Sequence, residues 1–415
     1  MVYIYKDLEE HSDVCIVDEN RLPVCFFLDG HLKESFSLKA FNTKLSYARV
    51  LSFVYNYFES QSIDLVGRSK TGEFLSYNEY EDFKRHCFYK SEGLTHSNNI
   101  ISFSKFSDKQ LDNLLNSKQY SDNRVSAFTA KNRLSSFVQY LDYLYKIFHF
   151  GNFSPINVYQ AITDLKAMVS SDIKKMKSTN TDVRDPFEQA IPDSIYFKML
   201  EIIKPYSIGN PWKNSRLRNQ LIINIFIETG MREGALAKLK VRDIKFDWHS
   251  PRLMVTRTPN DATDSRYKPP AQKTKSHSSG ITKNTLNLLK LYIETEREKY
   301  VKSSKHDFIF VAEKGVTKGM PISLNSIYRL TNVLAIALDF KLTPHLFRHK
   351  WNEVFDNKAI EAGYTAAQIE DIRKYAMGWS EGSQMAERYN DFKCAMKAHE
   401  LSQVRQSEFM PKEDE

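Results

Sequence analysis

The stretch from Thr343 to Tyr389 constrains this chain more than any other. It opens with Thr343-Pro344-His345-Leu346-Phe347-Arg348-His349. A threonine side chain can accept a hydrogen bond from an orphan N–H at a helix start, and proline suits the first turn. A helix is therefore predicted from Pro344, with Thr343 as its cap. His345 and Arg348 then share one helix face, from which both reach a single anionic group. Gly363 and Gly378 are expected helix stops, with Thr365 capping a second helix between them. Trp379 follows, and then Tyr389 within Met385-Ala386-Glu387-Arg388-Tyr389. An anion-binding His/Arg pair, an aromatic donor and a late tyrosine suggest phosphoryl transfer with Tyr389 as nucleophile.

A chain of 415 residues suits two or three domains, each able to bury a core. Its 59 Lys+Arg against 51 Asp+Glu give a formal charge of +8, a moderate bias toward a polyanionic partner. Cys15, Cys25, Cys87 and Cys394 form no CxxC pair and no Cys/His cluster, which argues against structural zinc or a disulfide framework and fits a reducing compartment. No apolar run reaches the length of a membrane span, and Asp7, Glu9 and Glu10 near Met1 are unlike a signal peptide. A soluble, cytoplasmic protein is expected, with no membrane partner and no cofactor.

Residues 1–35 read as short β segments and turns, with Val14-Cys15-Ile16-Val17 and Val24-Cys25-Phe26-Phe27-Leu28 as strand-like runs. No chemistry is evident there, and a small docking element is the plain reading. From Lys44 the pattern turns helical: Leu45, Ala48, Val50, Leu51, Val54, Tyr55 and Phe58 recur at three- and four-residue spacing. Ser76 and Glu79 form a capping box, and a further amphipathic run from Leu134 to Phe148 ends at Gly151. Its aromatics are expected in a core rather than on a base-stacking platform. Lys44, Arg49, Arg124, Lys131 and Arg133 are candidates for phosphate contact or for a solvated face. The basic run Asp172–Lys177 leads into Ser178-Thr179-Asn180-Thr181-Asp182, a linker sequence, so a boundary is placed near Asp185. The tail from 401 to 415 ends acidic and is expected to be disordered, or to dock on a neighbouring protomer.

Beyond the boundary, helices are predicted around Ile195–Ile203 and from Leu217 to Gly230. Thr229-Gly230-Met231-Arg232-Glu233-Gly234-Ala235-Leu236-Ala237-Lys238-Leu239 then places Arg232 near the start of a new helix, after a turn that Gly230 permits. Leu253-Met254-Val255-Thr256 is strand-like, and a polar loop from Pro259 to Pro270 leads to Gln272-Lys273-Thr274-Lys275-Ser276. A helix is predicted from Thr285 to Tyr300. His249, His277 and His306 show no metal-ligand spacing and read as incidental.

This order of an arginine, a hairpin lysine, His-x-x-Arg, a tryptophan and a tyrosine resembles the tyrosine recombinase (phage integrase) family. The likeness is firm from about Gly230 to Tyr389 and looser before. It implies a mainly α fold with a small β-sheet: an N-terminal β-type segment (1–35), a helical core-binding domain with linker (36–185), a mixed α/β catalytic domain (186–400) and the acidic tail (401–415). Arg232, Lys273, His345, Arg348, Trp379 and Tyr389 fall on the family's catalytic positions, with Lys275 a rival to Lys273. The sequence departs from the pattern twice. Ala235 stands where an acidic residue is common, so Arg232 needs another orienting partner, and the Trp379–Tyr389 interval is one residue longer than the usual family interval. Tyr364 and Tyr375 precede Trp379 and are poorer nucleophile candidates.

The implied activity is site-specific recombination or integration of a mobile element through a 3′-phosphotyrosine. The implied partners are double-stranded DNA, three further copies in a tetramer on two DNA sites, and accessory directionality or DNA-bending proteins, in a bacterial, nucleoid-associated setting. A type IB topoisomerase-like enzyme and a non-catalytic DNA-binding regulator are the alternatives. The chemistry matches the residue types. Two guanidinium forks bind nonbridging phosphate oxygens bidentately. His345 and Trp379 add hydrogen bonds. Neighbouring cations draw down a phenol whose ordinary pKa is about 10. Lys273 is the candidate acid for the 5′-hydroxyl leaving group. No carboxylate pair suited to two metal ions accompanies them.

Overall fold

The computed structural model describes residues 3–7, 13–90, 124–150, 155–176, 190–247, 249–259, 261, 263–383, 394–399 and 401–405. The chain divides into two compact units, Met1–Val183 and Arg184–Glu415. The expected linker from Ser178 to Pro186, with the boundary at Asp185, Gly151 and the acidic end of the tail fall outside the described residues.

In the first unit an antiparallel hairpin, β1 (Tyr3–Asp7) and β2 (Asp13–Val17), precedes six helices among the described residues. These are α1 (Phe26–Phe36), α2 (Phe41–Ser60), α3 (Leu65–Thr71), α4 (Tyr77–His86), α5 (Ala127–His149) and α6 (Ile156–Lys175). The run Val24–Leu28, expected as a strand, is instead the start of α1. Leu28, Leu32 and Phe36 recur every fourth residue and are all buried, whereas Phe26 is 80% exposed. Asp29 on this helix accepts from the Ile16 amide at 2.9 Å, tying α1 to β2. Val14 and Ile16 lie in the same hydrophobic cluster as α2 and α5. Strand β2 is thus part of this core.

The centre of that core is aromatic. Phe58, Phe83 and Phe137 meet with ring centroids 4.8–5.4 Å apart, and burying each such ring contributes about 1.5–3 kcal/mol. Helix starts are fixed locally. Asp64 accepts from two amides of α3, the capping box of Ser76 and Glu79 is present, and Ser126 caps α5. Two of the basic candidates for phosphate contact are internal instead. Lys44 is buried, and Arg133 is buried against Phe53 while donating to the Cys87 and Tyr89 carbonyls. Asp172, in the basic run ahead of the linker, lies in the last turn of α6 and is held by Tyr80 and Lys84.

The second unit contains α7 (Asp193–Ile202), α8 (Arg216–Thr229), α9 (Glu233–Lys238), α10 (Lys283–Leu291), α11 (Leu324–Leu338), α12 (Pro344–Glu361) and α13 (Ala366–Met377). Its antiparallel sheet has the order β3 (Ile244–Lys245), β4 (Arg252–Val255), β5 (His277–Gly280). Leu221, Ile222, Ile223, Ile225 and Phe226 are all fully buried, so α8 is apolar around most of its girth and sits centrally. Phe226 stacks on Phe347 of α12 at 5.7 Å. This contact brings the end of α8 to the residue after Phe347, which is Arg348. The helix predicted over Thr285–Tyr300 is α-helical only to Leu291; a π-helical turn, Tyr292–Arg297, completes it.

Candidate active site

The Thr343 region forms the predicted helix, but not through the predicted cap. The Thr343 side chain makes no capping bond; its extended backbone offers its carbonyl to Leu346 N, and Pro344 occupies the first turn. Proline has no N–H, so one of the donors a cap would serve is already missing. Gly363 and Gly378 both have positive φ, and Thr365 with Gln368 forms a full capping box on α13.

Arg348 is the centre of the assembled cluster. It is only 2% exposed. Its Nη1 donates to the Gly230 carbonyl at 2.8 Å and its Nη2 to the Met377 carbonyl at 3.3 Å. Its guanidinium carbon lies 5.6 Å from the Trp379 ring centroid. One side chain thus joins the end of α8, helix α12 and the end of α13. Gly230 is required at this junction for two reasons. Its φ is +59°, and a Cβ there would stand 2.9 Å from both Met377 Cε and Trp351 Cγ. Trp379 is buried with Met377 against Trp351, so its ring serves as a floor beneath the guanidinium.

Arg232 is half-buried at the N-terminus of α9, one residue before Glu233, whose carboxylate accepts from Tyr328 Oη at 3.2 Å. The Ala235 departure leaves a buried methyl in that helix. His345 is in the field of both arginines. Its pKa is held below the ordinary value by desolvation, then by Arg348 and Arg232, with Glu233 opposing. Solvent still reaches one side of this ring; neighbouring groups desolvate the rest. His349 meets it edge-on at 4.7 Å and is pushed down to about 4, by burial first and then by His345 and Arg348. Both imidazoles are consequently neutral at pH 7 and can accept a proton.

The lysine segment approaches from the sheet. Gly234 of α9 packs so closely on residue 271 that a Cβ would lie 2.3 Å from the Ala271 carbonyl oxygen. Beyond it, Gln272 and Thr274 are buried and Lys273 and Lys275 are exposed. The alternation puts both lysines on the same, solvent-facing side, so they are not separated by direction as adjacent residues would be. Lys275 N donates to the Gly378 carbonyl at 2.8 Å. His277, read from sequence as incidental, is part of this wall. Its Nδ1 donates to the Lys275 carbonyl at 2.9 Å, its ring lies against Gly378, and burial and then Arg348 lower its pKa. Its neighbourhood depends on a pairing about a hundred residues away in sequence, which no local pattern announces. Tyr375 places its hydroxyl 3.3 Å from Ser278 Oγ on the same strand. Tyr389 lies outside the described residues.

The structure therefore gathers Arg348, Trp379 and His345 with Arg232 in reach, and docks the segment carrying Lys273, just before β5, alongside. Such a set of guanidiniums, neutral imidazoles and a lysine is chemically suited to holding a phosphate group. Residues 198–394 match the model of the phage integrase family, and no curated protein matches the sequence. The solved structures to which the chain is similar include these three. One is XerH site-specific recombinase bound to difH substrate, at 16% identity over 97% of this chain and 98% of that one, TM-score 0.45. Another is Tn1549 transposon integrase in complex with circular intermediate DNA, at 15% over 76% and 89%, TM-score 0.40. A third is a lambda integrase dimer bound to a COC′ core site, at 13% over 76% and 94%, TM-score 0.35. The second unit thus carries a phage integrase family domain, matched over residues 198–394.

Proposed function

We propose that this protein cuts and rejoins double-stranded DNA through a covalent 3′-phosphotyrosine at Tyr389, and so integrates or excises a mobile element. The observation that carries this reading is the convergence on Arg348 of three segments remote in sequence: the turn after α8, helix α12 and the end of α13. Arg232 and Arg348 neutralise the nonbridging oxygens of the scissile phosphate. The Tyr389 oxygen forms a bond to phosphorus while the P–O5′ bond breaks and its electron pair passes to O5′. Lys273 gives that oxygen a proton, and the phenolic proton leaves to the neutral His345 imidazole or to water. The phosphotyrosine retains the energy of the broken diester, so the reverse attack by a new 5′-hydroxyl rejoins the strand without a nucleotide cofactor. Four copies on two DNA sites give the assembly in which strands exchange partners.

The test is a nicked suicide duplex analysed on a denaturing gel. Wild type is expected to yield a protein–DNA adduct in EDTA, because the arginines supply the positive charge; strict dependence on Mg²⁺ overturns the mechanism. Tyr389→Phe is expected to bind the duplex but form no adduct. An adduct that persists in Tyr389→Phe and disappears in Tyr364→Phe or Tyr375→Phe moves the nucleophile.

A further inference from the structure

The loop between β4 and β5, which ends in the lysine segment, is held down by buried charges. Asp264 and Arg266 form a bidentate pair, with Nε and Nη2 each 2.7 Å from a carboxylate oxygen, and both side chains are almost completely buried. Arg266 Nη1 reaches outside the loop, to the Ala237 carbonyl in α9 at 2.9 Å and the Ile322 carbonyl at 2.7 Å. A second buried pair, Lys240 with Asp261 at 2.7 Å, joins the same loop to the segment just after α9. Both cations lie over one face-giving ring, Phe308, at 5.0 and 4.7 Å. The sequence marked this loop only as polar.

We propose that Asp264 and Arg266 are positioning residues for Lys273. The argument is geometric, and it rests on the recombinase reading given above. Arg232 begins α9, and Arg266 is bonded to the carbonyl of Ala237 in that same short helix. From the clamp the chain runs to Ala271, which packs on Gly234, and then to Lys275, whose amide is bound to the residue preceding Trp379. Lys273 is therefore suspended between two fixed points, one on the Arg232 helix and one on the Trp379 turn. An ammonium that must meet a leaving oxygen gains from such restraint, because effective proton transfer requires hydrogen-bond reach. A buried ion pair is seldom a gain in stability over apolar residues of similar size, so its place under this loop is better explained by what it orients.

The experiment compares cleavage of an ordinary suicide duplex with one carrying a 5′-bridging phosphorothiolate, whose sulfur leaves without needing a proton. Lys273→Ala is the reference. Asp264→Asn is expected to slow ordinary cleavage by roughly 10²-fold, the usual scale of a positioned acid, while thiolate cleavage and duplex binding stay within about threefold of wild type. Asp264→Asn strands a buried guanidinium and can unfold the unit, so the paired replacement Asp264→Leu with Arg266→Met is measured too. It removes the charge and also the reach to Ala237 and Ile322, and the same selective loss is expected. Paired-variant cleavage as fast as wild type on both substrates, or equally slow on both, overturns the inference. Wild type that forms no adduct with either substrate overturns the recombinase reading itself, and this inference with it.

Discussion

Arg133 in the first unit and Arg348 in the second are buried in nearly the same way. Arg133 in the first unit is 8% exposed, gives Nη1 to the Cys87 and Tyr89 carbonyls at 2.8 and 2.6 Å, and lies 3.7 Å from the Phe53 ring centroid. Arg348 in the second also serves two carbonyls and lies over an aromatic ring. What separates them is company. Beside Arg133 stands His86, itself pushed to about 4 by burial and by that arginine, in a wall of aromatic rings. Around Arg348 stand His345, His349 and His277, with Arg232 in the same field as His345. A buried guanidinium on carbonyls is a way of joining segments. It becomes a candidate for chemistry where other cationic and proton-accepting groups converge beside it and solvent can enter.

The sharpest way to break this comparison is to make the same change at both places. Arg348→Met is expected to cut the rate of covalent complex formation by about 10²–10³-fold, the cost of one preorganised donor to a developing charge. Arg133→Met is expected to leave that rate unchanged per folded molecule while lowering stability by about 1–3 kcal/mol, since two carbonyls lose their partner. Suicide-substrate kinetics alongside denaturant melts decide it; equal loss of rate in the two variants erases the distinction.

Acid provides a second, somewhat smaller test. His31 in the first unit is buried beside Phe36, Tyr140 and Tyr143 and is lowered to about 4, chiefly by desolvation. The unfolded imidazole titrates near its ordinary 6.5, so between these values the unfolded chain binds more protons. The neutral buried ring's contribution is complete above pH 6.5 and is lost as pH falls toward 4. Its full extent is about 3 kcal/mol. His31→Phe is expected to flatten the fall in denaturant midpoint over that window; an unchanged slope assigns acid sensitivity elsewhere.

Much of the first unit could be read locally. Ser76 with Glu79, and the buried spacing from Leu45 to Phe58, carry their meaning within a few residues. The reading failed at Val24–Leu28 because five apolar residues fit strand and helix alike; extending it to Leu32 and Phe36 exposes the four-residue period. The basic candidates failed differently, since nothing near Arg133 in sequence shows that the carbonyls of residues 87 and 89 await it. In the second unit, motif order singled out His345, Trp379 and Arg232, which lie near Arg348, but not His349 or His277 beside it. The inward fold of the Asp261–Arg266 loop and the role of His277 depend on partners far along the chain, where periodicity is silent.

The smallest effects test the glycines, which also divide by surroundings. Gly234→Ala must displace the backbone at Ala271 and is expected to cost about 1–3 kcal/mol as overpacking. Gly363→Ala has open space around it and only its positive φ of +80° to resist, a strain of about 1 kcal/mol. Thermal melts of the two variants rank them, and the reverse order refutes the close approach between α9 and the lysine segment.

The bond from Arg348 to Gly230 spans 118 residues of chain. Contacts of such separation form late, after the loops between them have closed. During synthesis Arg232 and Lys273 therefore emerge long before the residues that complete their surroundings. A nascent or half-folded copy holds the separate parts of a cutting tool without the tool. In a chain that carries a phage integrase domain, the long reach of one arginine ties the completed cluster to finished folding.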